Sequence, residues 1–313
     1  MTIVLSPADW QPTCTRKGIM KILLAVDETP ASQLAIEEIA SRPWPEGTVV
    51  EVLTVVEQGQ MWSMSETLES AYHLATDLVT KSTAFLRAAG IPSHGNVATG
   101  DPKSVILERA DDTKPDLIVV GSHRVNQFTH FFLGNVAAHT LRHAEASVAV
   151  VRPRLDAAVQ ARRVLLATDG SAYSEIAARA IAARPWPVRT EVRILSVVEV
   201  ILPTIHALFE PPFVHSGEVQ KLREEALARA QKAVADAAAI LAPTGLDVSE
   251  SVSVLLDGTK DVILHEARDW WADWIFLGSH GRRGARRFLM GSVSESLAAQ
   301  ATCSVEVVRT RAN

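Results

Sequence analysis

Lys21-Ile-Leu-Leu-Ala-Val-Asp27 returns later in the chain as Arg163-Val-Leu-Leu-Ala-Thr-Asp169. Each copy is a short apolar run that ends at a polar turn, as a buried parallel strand does. Two further blocks recur at the same spacing of 142 residues: Arg42-Pro-Trp-Pro45 as Arg184-Pro-Trp-Pro187, and Leu53-Thr-Val-Val-Glu57 as Leu195-Ser-Val-Val-Glu199. Beyond them the spacing becomes 157 residues. Gly121-Ser-His123 returns as Gly278-Ser-His280, and Phe132-Leu-Gly134 resembles Leu289-Met-Gly291. The second half therefore carries 15 extra residues between Val197 and Gly278. Blocks held in order at fixed spacings mark two copies of one folding unit. The expected organisation is a tail over 1–17, a first domain over 18–153, a linker over 154–160 and a second domain over 161–310.

Within each copy, strand-like and helix-like segments alternate. Strands are predicted at 22–27, 49–56, 97–99, 117–120 and 148–151, then at 163–168, 191–198, 248–255, 274–277 and 304–308. Long helices are predicted over 65–89 and 218–241, a shorter one from Pro102 to Asp111, and another from Asn135. Such alternation implies an α/β fold, a parallel sheet with helices on both faces. Ligands in these sheets bind beyond the carboxyl ends of the strands, where the strand order reverses. The residues that follow strands one, two and four of each copy are thus the candidates.

The 313 residues carry 47% hydrophobic and 21% charged side chains, a globular balance. A net charge of −5 opposes general nucleic-acid binding, which needs a positive field. No apolar run reaches the ~18–20 residues of a membrane helix, and no signal peptide is expected at the start. Cys14 and Cys303 are the two cysteines, far apart and without metal or redox spacing, which fits a reducing cytoplasm.

After the fourth strand of the second copy comes Gly278-Ser-His-Gly281, nine residues, then Gly291-Ser292. Glycines let backbone N–H groups approach an anion and adopt φ > 0. A helix start at Gly291-Ser292 would add free N–H groups, and the Ser292 hydroxyl a donor. Arg282, Arg283, Arg286 and Arg287 supply positive potential. The same residues have a plainer reading. Ser292 with Glu295 forms an S-x-x-E capping box, the glycines suit a turn, and the arginines suit a solvated loop.

Gly278-x2-Gly281-x9-Gly291-Ser292 resembles the signature of the ATP-binding branch of the universal stress protein family. Ala167-Thr-Asp169, Leu195-Ser-Val-Val198 and Ser304-Val-Glu-Val-Val308 resemble the family too, and the likeness extends over both halves. It implies two tandem flavodoxin-like, Rossmann-like domains, each a five-stranded parallel sheet of order 3-2-1-4-5. It also implies dimerisation through the last strand, ATP at the switch point, and Mg2+ or Mn2+ accompanying the phosphates. Carried over by motif, Ala167, Thr168 and Asp169 lie at the adenosine, and Val197 receives adenine through its backbone. Leu277 and Gly278 line the ribose and first phosphate, and Gly281, Arg282, Gly291, Ser292 and Val293 hold the phosphates. Ala167 departs from the proline of several family ATP binders. Asp169 can alternatively cap the helix that follows it.

The first copy departs further. Arg124 replaces the second glycine, Asn135 replaces the serine, and residues 125–133 hold Phe128, Phe131 and Phe132 but no Lys or Arg. At a position that needs φ > 0, Arg124 would cost about 1 kcal/mol or more. ATP is therefore expected mainly in the second domain. Asp27, Val55, Gly121 and Asn135 mark a weaker second site. No catalytic residue and no protein metal site are assigned. His139 and His143 have i,i+4 spacing but no third ligand in view. The Pro-Trp-Pro segments at Trp44 and Trp186 are expected to close the first helix of each copy. Trp270, Trp271 and Trp274 are expected in the core or at an interface. Residues 202–216, with Pro203, Pro211, Pro212 and Phe213, read as a long loop beside the site.

Three functions fit: a nucleotide-binding stress or signalling protein, an ATP-consuming hydrolase or adenylyl transferase, and a nucleotide-free interaction module. There is no P-loop lysine motif and no dedicated general base beside the glycine loop, which leaves enzymatic activity open. The two halves are expected to form an intramolecular pseudo-dimer, with further pairing of chains conceivable.

Overall fold

The computed structural model describes residues 19–57, 65–122, 133–154, 161–199, 216–255, 258–282 and 290–310. The first half runs β1 (Lys21–Ala25), α1 (Pro30–Ser41), β2 (Val49–Val56), α2 (Ser65–Ala88), β3 (Ser93–Thr99), α3 (Pro102–Thr113), β4 (Leu117–Gly121), α4 (Asn135–His143) and β5 (Ser147–Val151). The second half repeats the order: β6 (Arg163–Ala167), α5 (Ala172–Ala182), β7 (Glu191–Glu199), α6 (Ser216–Leu241), β8 (Asp247–Leu255), α7 (Thr259–Asp269), β9 (Trp274–Gly278), α8 (Ser292–Gln300) and β10 (Ser304–Val308).

α1 and α3 begin where the chain supplies side-chain caps. Thr29 and Asp101 precede Pro30 and Pro102, and each cap side chain accepts from a backbone N–H in the first turn. Alternate strand residues feed two cores. Ile22 and Leu24 join one cluster with α1, α2, α5 and α6, and Leu23 joins the other with α3, α4, α7 and α8. Helices thus cover both faces of the sheet, as the alternation of segments implied.

β3 is longer than expected from hydropathy. Its first residues, Ser93-His-Gly-Asn96, are polar, yet all seven strand residues pair with β2. Backbone pairing at a sheet edge, not apolar content, makes this strand. Gly95 is needed there because a Cβ would overlap Val79 of α2.

The five strands of each half follow the expected 3-2-1-4-5 order, and the two sets join into one ten-stranded sheet, β3-β2-β1-β4-β5-β10-β9-β6-β7-β8. Pairing is parallel within each half and antiparallel where β5 meets β10, with Ala149 opposite Glu306. The edges that the resemblance assigned to dimerisation therefore meet inside one chain. A second chain would have to use another surface; β3 and β8 are the outer strands.

Two arginines clasp this seam reciprocally. Arg152, after β5, donates to the carbonyls of Ala298 and Cys303 (3.1 Å for the latter). Arg309, after β10, donates to the carbonyls of Leu141 and Ala144 (2.6 Å for the latter). Each half's arginine thereby satisfies the last turn of the other half's final helix, or the turn after it, where free carbonyls collect. Burial pushes the Arg152 and Arg309 guanidinium pKa values down to about 10, well above neutrality, so both remain charged.

The Pro-Trp-Pro segments close α1 and α5 as expected. Trp44 Nε1 donates to Ile39 O and Trp186 Nε1 to Ile181 O, each at 2.9 Å. Trp274 is buried and Trp270 lies under the Arg193 guanidinium, 4.4 Å from its ring centre. Trp271 lies outside the core: it is 58% exposed, with φ 58°. The chain turns left-handed at the end of α7, and that turn throws the side chain outward.

Candidate functional site

β6 ends at Ala167, whereas β7 continues to Glu199. Leu195 O accepts from Thr168 N at 2.9 Å, so this residue turns its backbone groups toward β6. Two residues on, Val197 turns the same way, past the end of β6. Its N–H and C=O edge thus faces a notch at the strand-order switch. In the first half, Val26 N donates to Leu53 O at 2.9 Å, and Val55 holds the corresponding place.

Across the notch stands Asp169, half-buried. Its Oδ1 accepts from Ser171 N at 3.0 Å, and its Oδ2 accepts from Arg282 N at 2.8 Å. Burial works to raise its pKa. Hydrogen bonds from Ser171, Arg282 and Ser174 outweigh burial and hold the carboxyl below the ordinary 3.8. Thr168 supports the turn: its hydroxyl donates to Ser174 Oγ at 3.0 Å. Asp169 therefore latches the start of the glycine loop to the end of β6.

This latch explains Gly281. A Cβ there would lie 2.8 Å from Asp169 Oδ2. Neither Gly278 nor Gly281 takes up the positive φ that glycine permits. Gly278 is required by packing instead: its Cβ would come 2.5 Å from the Tyr173 carbonyl carbon at the start of α5. Gly121 repeats this contact, with a Cβ 2.5 Å from Ala31 C. Gly121→Ala should therefore destabilise the fold by about 1–3 kcal/mol through overpacking, measured by urea unfolding.

The loop returns at Gly291, whose N–H donates to Ser279 O at 2.9 Å. Gly291, not Ser292, is the N-cap of α8, and no side chain caps it. The capping-box reading of Ser292 and Glu295 is thus not what forms. Ser292 is the first helical residue and exposed, and Glu295 instead accepts from Arg142 of α4 (2.7 Å from Nε). Likewise Gly134 is the uncapped N-cap of α4, so Asn135 does not cap that helix. Sequence reasoning missed Ser294, whose buried hydroxyl donates to Gly278 O at 2.9 Å. The Ser292-x-Ser294 spacing could have pointed to it. Ala137 takes its place in the first half.

Ala167, Thr168, Asp169, Gly278, Gly281, Arg282, Gly291 and Ser292 are thus brought around one strand end, with Val197 across from them. Leu277 is buried and Val293 packs on the same core, so their backbones alone can face a ligand. His123, Arg124, Phe128, Phe131 and Phe132 lie outside the described residues, as do Arg283, Arg286, Arg287 and residues 202–215. Ser216, expected in that loop, instead begins α6. Asp27 is exposed and turns on itself, accepting from Thr29 N at 3.0 Å and Ser32 Oγ at 2.6 Å.

The family model described as "Universal stress protein family" matches residues 18–152 and again 160–309. The chain belongs to the universal stress protein family. It is a tandem member, since both halves match. A universal stress protein A-like protein of Arabidopsis thaliana is 36% identical over 67 residues, 21% of this chain and 38% of that one. A universal stress protein of Mycolicibacterium smegmatis is 29% identical over 138 residues, 43% of this chain and 46% of that one. The chain thus matches less than half the length of these two curated relatives. A solved universal stress protein of Archaeoglobus fulgidus superposes with TM-score 0.64 at 18% identity over 92% of this chain and 98% of that one, a likeness of fold.

In this universal stress protein, the His139 and His143 rings stack at 4.1 Å, and no group of three or more metal-ligating side chains occurs among the described residues. Among them, too, no helix is long and apolar enough to cross a membrane. A pH prediction follows from the latch. A carboxyl with a lowered folded pKa stabilises fully above its unfolded value and loses that effect as pH falls through the folded value. Asp169→Asn should cost about 1–2 kcal/mol at pH 7. The difference from wild type, read by urea unfolding, should shrink as pH drops below 3.8.

Proposed function

We propose that this protein binds ATP in its C-terminal half, as a conformational ligand in stress response or signalling. The observation that carries the reading is the backbone edge of Val197 facing the latched loop 278–282 and the uncapped start of α8. Adenine pairs with that edge, as it would with a strand partner. Leu277 and Gly278 line the ribose and first phosphate. Gly281, Ser292 and Val293 present backbone N–H groups, and Ser292 its hydroxyl, to the phosphates; Gly291, its own N–H held by Ser279 O, shapes the approach, and Arg282 adds positive charge. Ala167 and Thr168 form the floor. Both Asp169 oxygens already accept from the chain, so an adenosine hydroxyl shares an acceptor and does not claim it alone. A Mg2+ or Mn2+ ion is carried by the phosphates.

The first half is proposed to hold nucleotide weakly or not at all. Its aspartate is exposed, and it lacks the hydroxyl that pins Gly278 O. His280 sits against Ser279 Oγ (3.0 Å) and the Tyr173 ring (5.1 Å), a packed position that does not favour proton transfer. A reducing, cytoplasmic setting is proposed from Cys303, a buried free thiol whose pKa burial pushes up to about 12. Mass spectrometry of the small molecules released from denatured, purified protein tests the reading. An adenine nucleotide is expected. Protein that neither carries one nor takes one up when ATP is added would refute it.

A further inference from the structure

The seam between the halves is nearly two-fold, and one break in it leaves a charge without a partner. By the repeat spacings, Arg42 corresponds to Arg184 and Ala149 to Glu306. On the second-half side, Arg184 donates to both Glu306 oxygens at 2.6 and 2.7 Å. That pair is buried, 7% and 0% exposed. On the first-half side Ala149 stops at Cβ, and a small cavity stands where the second carboxylate would be. Glu38, Ile39, Arg42, Leu117, Ala149 and Trp274 are among its lining residues.

Arg42 is 3% exposed, and its Nε and Nη2 have no hydrogen-bond partner. Trp44, Trp186 and Trp274 surround it, with ring centres 4.8, 4.0 and 5.6 Å from the guanidinium carbon. Rings attract the cation electrostatically, but they offer no acceptor to its in-plane N–H groups. Glu38 does not supply one either, since its oxygens accept from Arg162 Nη2 at 3.1 Å and Trp274 Nε1 at 3.2 Å. Among the described residues, the buried side chains of Arg42, Arg162 and Arg184 face only Glu38 and Glu306, so one positive charge is left over there. Burial first, and Arg184 next, press the Arg42 pKa down to about 9, which still leaves it charged at neutral pH.

We propose that this cavity binds one small monovalent inorganic anion, held by Arg42 Nε and Nη2 in the place that the Glu306 carboxylate takes across the pseudo-dyad. The space is about that of one water-sized particle, so a halide would enter by a small outward shift of the lining side chains. A water would satisfy donors but leave the charge, whereas a halide answers both. The site is independent of the nucleotide loop, for it lies at the opposite ends of α1 and α5 from the strand ends that form that loop.

Bromide is the probe. A crystal of the full chain grown in sodium bromide is expected to show an anomalous peak within hydrogen-bonding distance of Arg42 Nε and Nη2. In solution, replacing gluconate by bromide at constant ionic strength should raise Tm by about 2–4 °C. Arg42→Met should lose that rise. If this variant does not fold, the crystal alone decides. A water molecule or empty density in the cavity overturns the proposal, as does an equal bromide shift in a folded Arg42→Met protein.

Discussion

Gly281→Arg is expected to weaken ATP binding by about 30-fold or more, a loss of roughly 2–3 kcal/mol. The reason is local. The position is exposed, so the fold itself should tolerate the change. A Cβ would nevertheless fall 2.8 Å from Asp169 Oδ2, and the new guanidinium would reach the same carboxylate. That contact competes with the Arg282 N–H for the latch, and the loop loses the backbone geometry proposed to cradle phosphate. Gly281→Ala should fall between, because the Asp169 side chain can rotate away from a single methyl group. Calorimetric titration of the full chain with Mg-ATP measures both. The thermal midpoints should stay within a few degrees of wild type, which separates lost binding from lost folding.

Arg184→Met should destabilise the protein by about 3–5 kcal/mol, because it strands the Glu306 carboxylate, 0% exposed, without its partner. Replacing both residues, Arg184→Met with Glu306→Met, should recover most of that loss, since desolvating the pair offsets much of its attraction. Urea unfolding of wild type, both single variants and the double variant gives the coupling between the two groups. A double variant no more stable than Arg184→Met would show that these side chains act separately. The pair also bears on how the halves unfold: with β5 and β10 joined, a break at the seam exposes core in both.

Much of this was readable from the chain itself. Apolar runs that end at Asp27 and Asp169 gave the strands, and the constant spacings gave the duplication. The 3-2-1-4-5 order came with the family resemblance. The seam was harder to read. Arg152 and Arg309 look like ordinary charged residues after strands, and only the meeting of β5 with β10 puts each against the other half's helix end. Arg42 and Arg184 sit within a repeated segment, yet their burial depends on partners more than a hundred residues away. The glycines were legible as places with no room for a Cβ, but what fills that room, Tyr173 and Asp169, shows only in the fold. The starts of α4 and α8 were legible at Asn135 and Ser292, but their capping roles were not, because a glycine can occupy the N-cap position with no side-chain bond to announce it.

One cradle per chain, at the C-terminal glycine loop, is expected to take up nucleotide. Native mass spectrometry of the intact protein titrated with Mg-ATP measures this directly. Saturation at a single adenylate per chain, abolished by Gly281→Arg, is the predicted result. No bound adenylate at any concentration, or two equivalent ones filling together, would contradict it.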